Sequence, residues 1–235
     1  MIDFNQDLGG LVYENQIIRA PRSLVPGIMK IDRLEQSGNH NKRSLTKWET
    51  HWSRQGLTVM SMADFYNVLG QLYIVNDSYR RGEVGEETIS MMESSKEALK
   101  GYLDLDWHTT STVMKSDSNS HIRRLTHNYL SSIPEPRHYD NVRIAAYAMK
   151  PIEEVINDIG NSGFAFLQLL FDTHDSEKAM LDKFSQLDVG DIYIATPAPA
   201  AAKFAAAIKR DKSSVLYINF FDYGFANGKS FGVDA

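Results

Sequence analysis

The stretch WHTTSTVMKSDSNSHIRRLTHNYL, residues 107–130, decides how the chain is read. It holds three of the seven histidines and the adjacent pair Arg123-Arg124. Residues 108–115 and 121–129 are rich in β-branched side chains, and SDSNS (116–120) between them has turn composition, so the stretch predicts a β-hairpin. Symmetric pairing about Ser118 sets Thr110 opposite Thr126, Thr112 opposite Arg124 and His108 opposite Asn128, all on one face. The other face takes Thr109, Ser111, Val113, His121, Arg123, Leu125 and His127. Both faces are largely polar, whereas an antiparallel sheet packed on a core shows one apolar face. The hairpin is therefore expected to project into solvent, to line a polar site, or to lie in a subunit contact.

Upstream of the hairpin the chain reads as helical. Thr46 and Glu49 have capping-box spacing, which predicts a helix running to Gln55, closed by Gly56, with Trp48 and Trp52 on one inward face. A second helix starts after Ser61 and turns Met62, Phe65, Leu69 and Leu72 or Tyr73 inward. A third spans Glu86 to Leu103 with Ile89, Met92, Leu99 and Leu103 as its stripe, its acidic start suiting the helix dipole. Residues 1–44 keep no period and read as an extended arm with two short strands, held by the chain's own domain or by a neighbouring subunit.

Downstream, the prolines of IPEPRHYDN (133–141) forbid a helix, and Val142–Tyr147 reads as a strand. A helix from Pro151 to Ile159 turns Ile152, Val155, Ile156 and Ile159 inward. FAFLQLLF (164–171) fits a strand or a helix equally, and DSEKAMLDKFSQL (175–187) is an amphipathic helix with Met180, Phe184 and Leu187 inward. Strand DIYIA (191–195), alanine-rich helix TPAPAAAKFAAAIKR (196–210) and strand SVLYINFF (214–221) make a βαβ-like unit, with a last strand in KSFGVDA (229–235). The expected fold is mixed α/β of the α+β class: an arm (1–44), a helical region (45–106) and an α/β region (107–235).

Composition narrows the functions. A net charge of −5 supplies no global positive field for nucleic acid or an anionic membrane. The absence of cysteine excludes disulfides, thiolate nucleophiles and thiolate metal sites. The polar start MIDFNQDLGG lacks a leader's apolar core and no apolar run approaches a membrane span, so the expected setting is the cytoplasm or an assembled particle such as a virion, with no membrane partner.

Catalytic candidates are His108, Thr110 and His127, because imidazoles and a hydroxyl pointing together from strands can divide acid and base roles. Arg123, Arg124, Thr126 and Asn128 are the candidate phosphate holders, with guanidinium forks matching phosphate. His108-Thr109-Thr110 and His174-Asp175-Ser176 resemble the paired elements of two-histidine phosphoesterases, although the apolar flanks of that family are missing. His121 and His127 are about 20 Å apart along a strand, too far to share a metal ion. No glycine lies between Ala195 and Arg210, and Tyr223 occupies the place of the first glycine a P-loop at Gly228-Lys229-Ser230 needs, so no metal or cofactor is expected. Residues 39–56 interleave His40, Lys42, Arg43, Lys47, His51 and Arg54 with Trp48 and Trp52, a pattern that fits nucleic-acid stacking or a helix core face with solvated bases.

Three functions compete. A homo-oligomeric structural or self-assembly subunit of a shell or filament leads, on the arm and the two-faced polar hairpin. An enzyme acting on a phosphate-bearing substrate through the hairpin comes second. A nucleic-acid-binding module comes third.

Overall fold

The computed structural model describes residues 8–13, 16–21, 29–31, 44–104, 106–116, 122–131, 135–197, 202–223 and 228–234. The arm contributes three strands, one more than expected: β1 (Leu8–Tyr13), β2 (Gln16–Pro21) and β3 (Met29–Ile31). Helix α1 (Leu45–Ser53) begins two residues earlier than a capping box at Thr46 requires, with Ser44 as N-cap and no side-chain cap bond. The capping box therefore does not form at Thr46-Glu49. Glu49 is buried instead, and its carboxylate accepts from the Val59 N–H. Trp48 and Trp52 face inward and stack with ring centroids 5.9 Å apart.

Strand β4 (Leu57–Val59) leads into α2 (Met62–Arg80), where a capping box does form between Ser61 and Asp64. Met62, Phe65, Leu69 and Leu72 are buried as the stripe requires. Helix α3 covers Glu86–Leu103, the predicted span, with Met92, Leu99 and Leu103 buried. Next come β5 (His108–Ser116), β6 (Ile122–His127), β7 (Arg137–Arg143) and β8 (Tyr147–Pro151). The single strand expected over Val142–Tyr147 is thus the end of one strand and the start of another. Helix α4 (Ile152–Ile156) is shorter than expected, and Ile159 lies past its end, 89% exposed rather than inward. FAFLQLLF resolves as helix α5 (Gly163–Leu170), and α6 (Glu177–Phe184) buries Met180 and Phe184, with Leu187 just beyond it also buried.

The chain ends in β9 (Asp191–Thr196), β10 (Ala202–Arg210), β11 (Val215–Asp222) and β12 (Gly232–Asp234). β9 and β11 pair in parallel, as a βαβ-like unit requires, but the alanine-rich segment between them is a strand, not a helix. Alanine's helix preference is a few tenths of a kcal/mol per residue and yields to packing. β10 lies between β5 and β11, where Ala205 meets the α1 tryptophan cluster on one face and Ala206 meets the main core on the other. Larger side chains would keep those layers apart.

The result is a mixed α+β fold with two sheets. One has five strands in the order β2-β1-β3-β12-β4, and the other has seven in the order β7-β6-β5-β10-β11-β9-β8. β7 and β8 are opposite edges of the larger sheet, yet residues 144–146 alone connect them. Six strand spacings would separate the edges of a flat sheet by about 29 Å. Four Cα–Cα steps reach at most about 14 Å. The sheet must curl, and its concave face closes on the helices: Met114, Leu125, Val142, Ile194, Ile208, Leu216 and Ile218 join residues of α2 to α6 in one core. A second cluster, Leu45, Trp48, Trp52, Leu57, Val59, Val113 and Ala205, seals α1 and β4 against the outer face.

Gly232 sits where β12 bridges β3 and β4, and a Cβ there would lie 2.6 Å from the Trp52 ring. We expect Gly232→Ala to cost about 1–3 kcal/mol in urea unfolding followed by tryptophan fluorescence. Gly190→Ala, which meets nothing within 4 Å, should stay within about 0.5 kcal/mol of wild type.

Candidate functional site

The predicted hairpin forms, but in another register. Val113 faces Thr126, Met114 faces Leu125, Lys115 faces Arg124 and Ser116 faces Arg123. This differs by three residues from pairing about Ser118, and an odd shift exchanges faces. The physical reason is burial: the observed register brings Met114 and Leu125 together on the concave side, both fully buried. The turn centre and His121 fall outside the described residues.

The Thr-Ser-Thr run at the start of β5 is polar because the strand is bulged there. Between Ala205 and Ala207 β10 advances two residues while β5 advances four, from Thr109 to Val113. The extra residues lose ladder partners inside a buried strand, and such groups must be satisfied another way. Ser111 N–H donates to the Met60 carbonyl, and the Ser111 carbonyl accepts from Tyr129 N–H. Thr110 Oγ1 donates to the Ala206 carbonyl at 2.9 Å. The hydroxyls expected to face a substrate complete a backbone.

His127 is built into the same arrangement. Its Nε2 lies 3.0 Å from the Leu169 carbonyl, which can only accept, so Nε2 carries the proton. Nδ1 then accepts from Thr112 Oγ1 at 2.8 Å, and Thr112 Oγ1 accepts from Met62 N–H at 2.9 Å. One directed chain thereby runs from the first turn of α2 through β5 and β6 to the end of α5. Burial holds the His127 imidazole below its usual pKa, in the neutral form this chain needs. His108 stacks on Phe231 at 4.4 Å, donates from Nδ1 to the Asp106 carbonyl, and has its pKa pushed down to about 3 by burial. Its Nε2 is without a partner. His108, Thr110 and His127 are 1%, 0% and 0% exposed, so solvent reaches none of them, whereas His174 is exposed.

The proposed phosphate holders are divided between the two sides. Arg123 points inward and is buried, donating to Met114 Sδ and to the Pro197 carbonyl across the curl, with Nε unpartnered. Thr126 faces outward but is covered, bonded to His138. Asn128 has φ +55 in the turn after β6 and accepts from Ser111 Oγ. Arg124 faces outward, 53% exposed, and pairs with Asp140.

Beside Arg124 the register creates what the hairpin sequence alone does not show. Lys203 of β10 is directly opposite Lys115 of β5, and Lys115 is directly opposite Arg124 of β6. All are exposed. At the β11 end of this row Lys203 Nζ lies 5.2 Å from the Tyr129 ring and 5.9 Å from the Tyr223 ring. Half-buried rings continue over the outer face: Tyr223 meets Tyr129, Phe221 meets Trp107, and Trp107 meets Tyr217, which stacks on Tyr193. In the basic segment before β4, Trp48 and Trp52 are core residues; His40, Lys42 and Arg43 fall outside the described residues.

No family model, curated protein or solved structure matches the chain. Among the described residues no helix is long and apolar enough to cross a membrane.

The buried histidines predict an acid limb in stability. Their pKa values are lowered in the folded chain, to about 3 for His108, and return to about 6.5 on unfolding. The unfolded state therefore binds protons first, and stability falls as pH drops below about 6.5, by about 1 kcal/mol per pH unit for His108 down to about 3, with His127 acting in the same direction. His108→Phe keeps a ring over Phe231 and should flatten this limb by one group in urea titrations between pH 6 and 4. An unchanged slope would refute the assignment.

Proposed function

We propose that the chain is a self-assembling structural subunit that forms a homo-oligomer through the β2 edge of its five-stranded sheet. The observation carrying this reading is the contrast among four sheet edges. β7 is lined with Arg137, His138, Asp140 and Arg143, and charges blunt an edge. β8 has a register irregularity, positive φ at Met149, and Lys150 and Pro151 at its end. β4 is a three-residue strand buried beside α1. β2, of sequence QIIRAP, is six residues long with Ile17-Ile18 at its centre; among the described residues no strand pairs beyond it, and α3 runs close along it.

An edge of this kind is a template for another strand, and antiparallel pairing of β2 with β2 about a two-fold axis joins two copies by the same patch on each. The closed, internally bonded setting of His108, Thr110 and His127 supports this reading over catalysis, since a reacting group must meet substrate.

Light scattering of the full chain should give a discrete multiple of 26.6 kDa. The charged-edge variant Ile17→Lys/Ile18→Lys should give folded monomers, with far-ultraviolet circular dichroism reporting the fold. A full chain that is monomeric at every concentration, or an oligomer indifferent to the variant, defeats the reading.

A further inference from the structure

We propose that the outer face of the seven-stranded sheet binds single-stranded nucleic acid, with Lys203, Lys115 and Arg124 on the phosphates and Tyr223 and Tyr129 beside the bases. The first argument is the placement of the charges. β5 and β10 are interior strands, so their lysines are not there to protect an edge. Like charges directly opposed across a ladder repel, and here two successive pairs do so, Lys203 with Lys115 and Lys115 with Arg124. Asp140 neutralises the Arg124 end of the row. Among the described residues no carboxylate meets Lys115. Lys203 leans on the Tyr129 and Tyr223 rings, so the repulsion is sharpest at Lys115, where an anionic ligand laid across the strands relieves it.

The second argument is independent of charge. β11 turns Tyr217 and Phe221 to the outer side, Tyr217 in register with Tyr193 on β9 and both beside Trp107, and Tyr223 just past β11 lies beside Tyr129. These rings are half-buried: Tyr129, Phe221 and Tyr223 lean on the α1 tryptophan cluster, Tyr223 Oη lies 3.2 Å from Thr46 Oγ1, and the exposed parts of the rings lead to the cation row. Unpaired bases stack on such rings whatever their sequence, while a duplex hides its base faces. Strand spacing sets the three cations over about 10 Å, enough for successive phosphates of one flexible strand. The net charge of −5 makes binding local to this face and sensitive to salt.

The test uses the full chain and labelled oligothymidylate and oligouridylate, each of about 20 nucleotides, beyond the largest site of a single OB-fold, with a DNA duplex and heparin as competitors. Fluorescence anisotropy should show both single strands binding more tightly than the duplex, and log affinity falling with log salt at a slope of about −2 for three neutralised phosphates. Lys115→Glu/Lys203→Glu should weaken binding at least tenfold and flatten that slope, at an unchanged melting temperature. Tyr223→Ala should weaken single-strand binding and leave the slope intact. Absence of binding at low salt, or wild-type affinity in the double lysine variant, overturns the proposal. Duplex or heparin bound as well as the single strands, with no effect of Tyr223→Ala, overturns the nucleic-acid assignment in favour of a general polyanion. A preference between the two oligomers assigns DNA or RNA within the proposed chemistry.

Discussion

The three residues between β7 and β8 constrain everything around them. Because opposite edges of a seven-stranded sheet must meet within reach of residues 144–146, the sheet cannot lie flat. Curling gives it two unlike faces. The concave one is deep enough to receive five helices and to bury Arg123, whose bond to the Pro197 carbonyl ties β6 to the segment following β9. Among the described residues the convex one is covered in part, by α1 with its tryptophans and by β4, against which Tyr129, Phe221 and Tyr223 pack, and the cation row lies exposed beside them.

A curled sheet also needs places where strands bend. Bulges occur in β5, in β7 opposite Arg124, and in β8. Asn141 and Met149, both at positive φ, sit at the latter two. In β5 the cost of bending is met by hydroxyls. Thr110 and Thr112 supply bonds that the ladder no longer makes, and Thr112 with His127 ties the bend to the start of α2 and the end of α5. Removing one partner of such a buried chain leaves a polar group unsatisfied, which costs more than the bond itself contributes. Polar density in the sequence marks a structural joint here.

The basic residues are sorted by strand parity. Arg123 and Arg124 are neighbours in the chain, yet one is inside the sheet and the other on its surface, and the partners of the second come from β5 and β10. Lys203 is hidden in the sequence within an alanine-rich run that argues for a helix. No inspection of one segment could have grouped it with Lys115.

Local signals were legible where a single segment decides the outcome. Ser61 with Asp64 and the stripe that follows specify α2, the acidic start and apolar spacing specify α3, and the periodicity of 175–187 specifies α6, because helix hydrogen bonds and side-chain spacing are settled within a few turns. The existence of the 107–130 hairpin was equally plain. Its register was not, nor was the strand state of Ala202–Arg210, nor the inward fate of His108, Thr110 and His127. Those follow from which neighbour each strand meets: Met114 against Leu125, and alanines between two packed layers. Burial is a property of the assembled chain, and tertiary packing outweighs local preferences that differ by tenths of a kcal/mol.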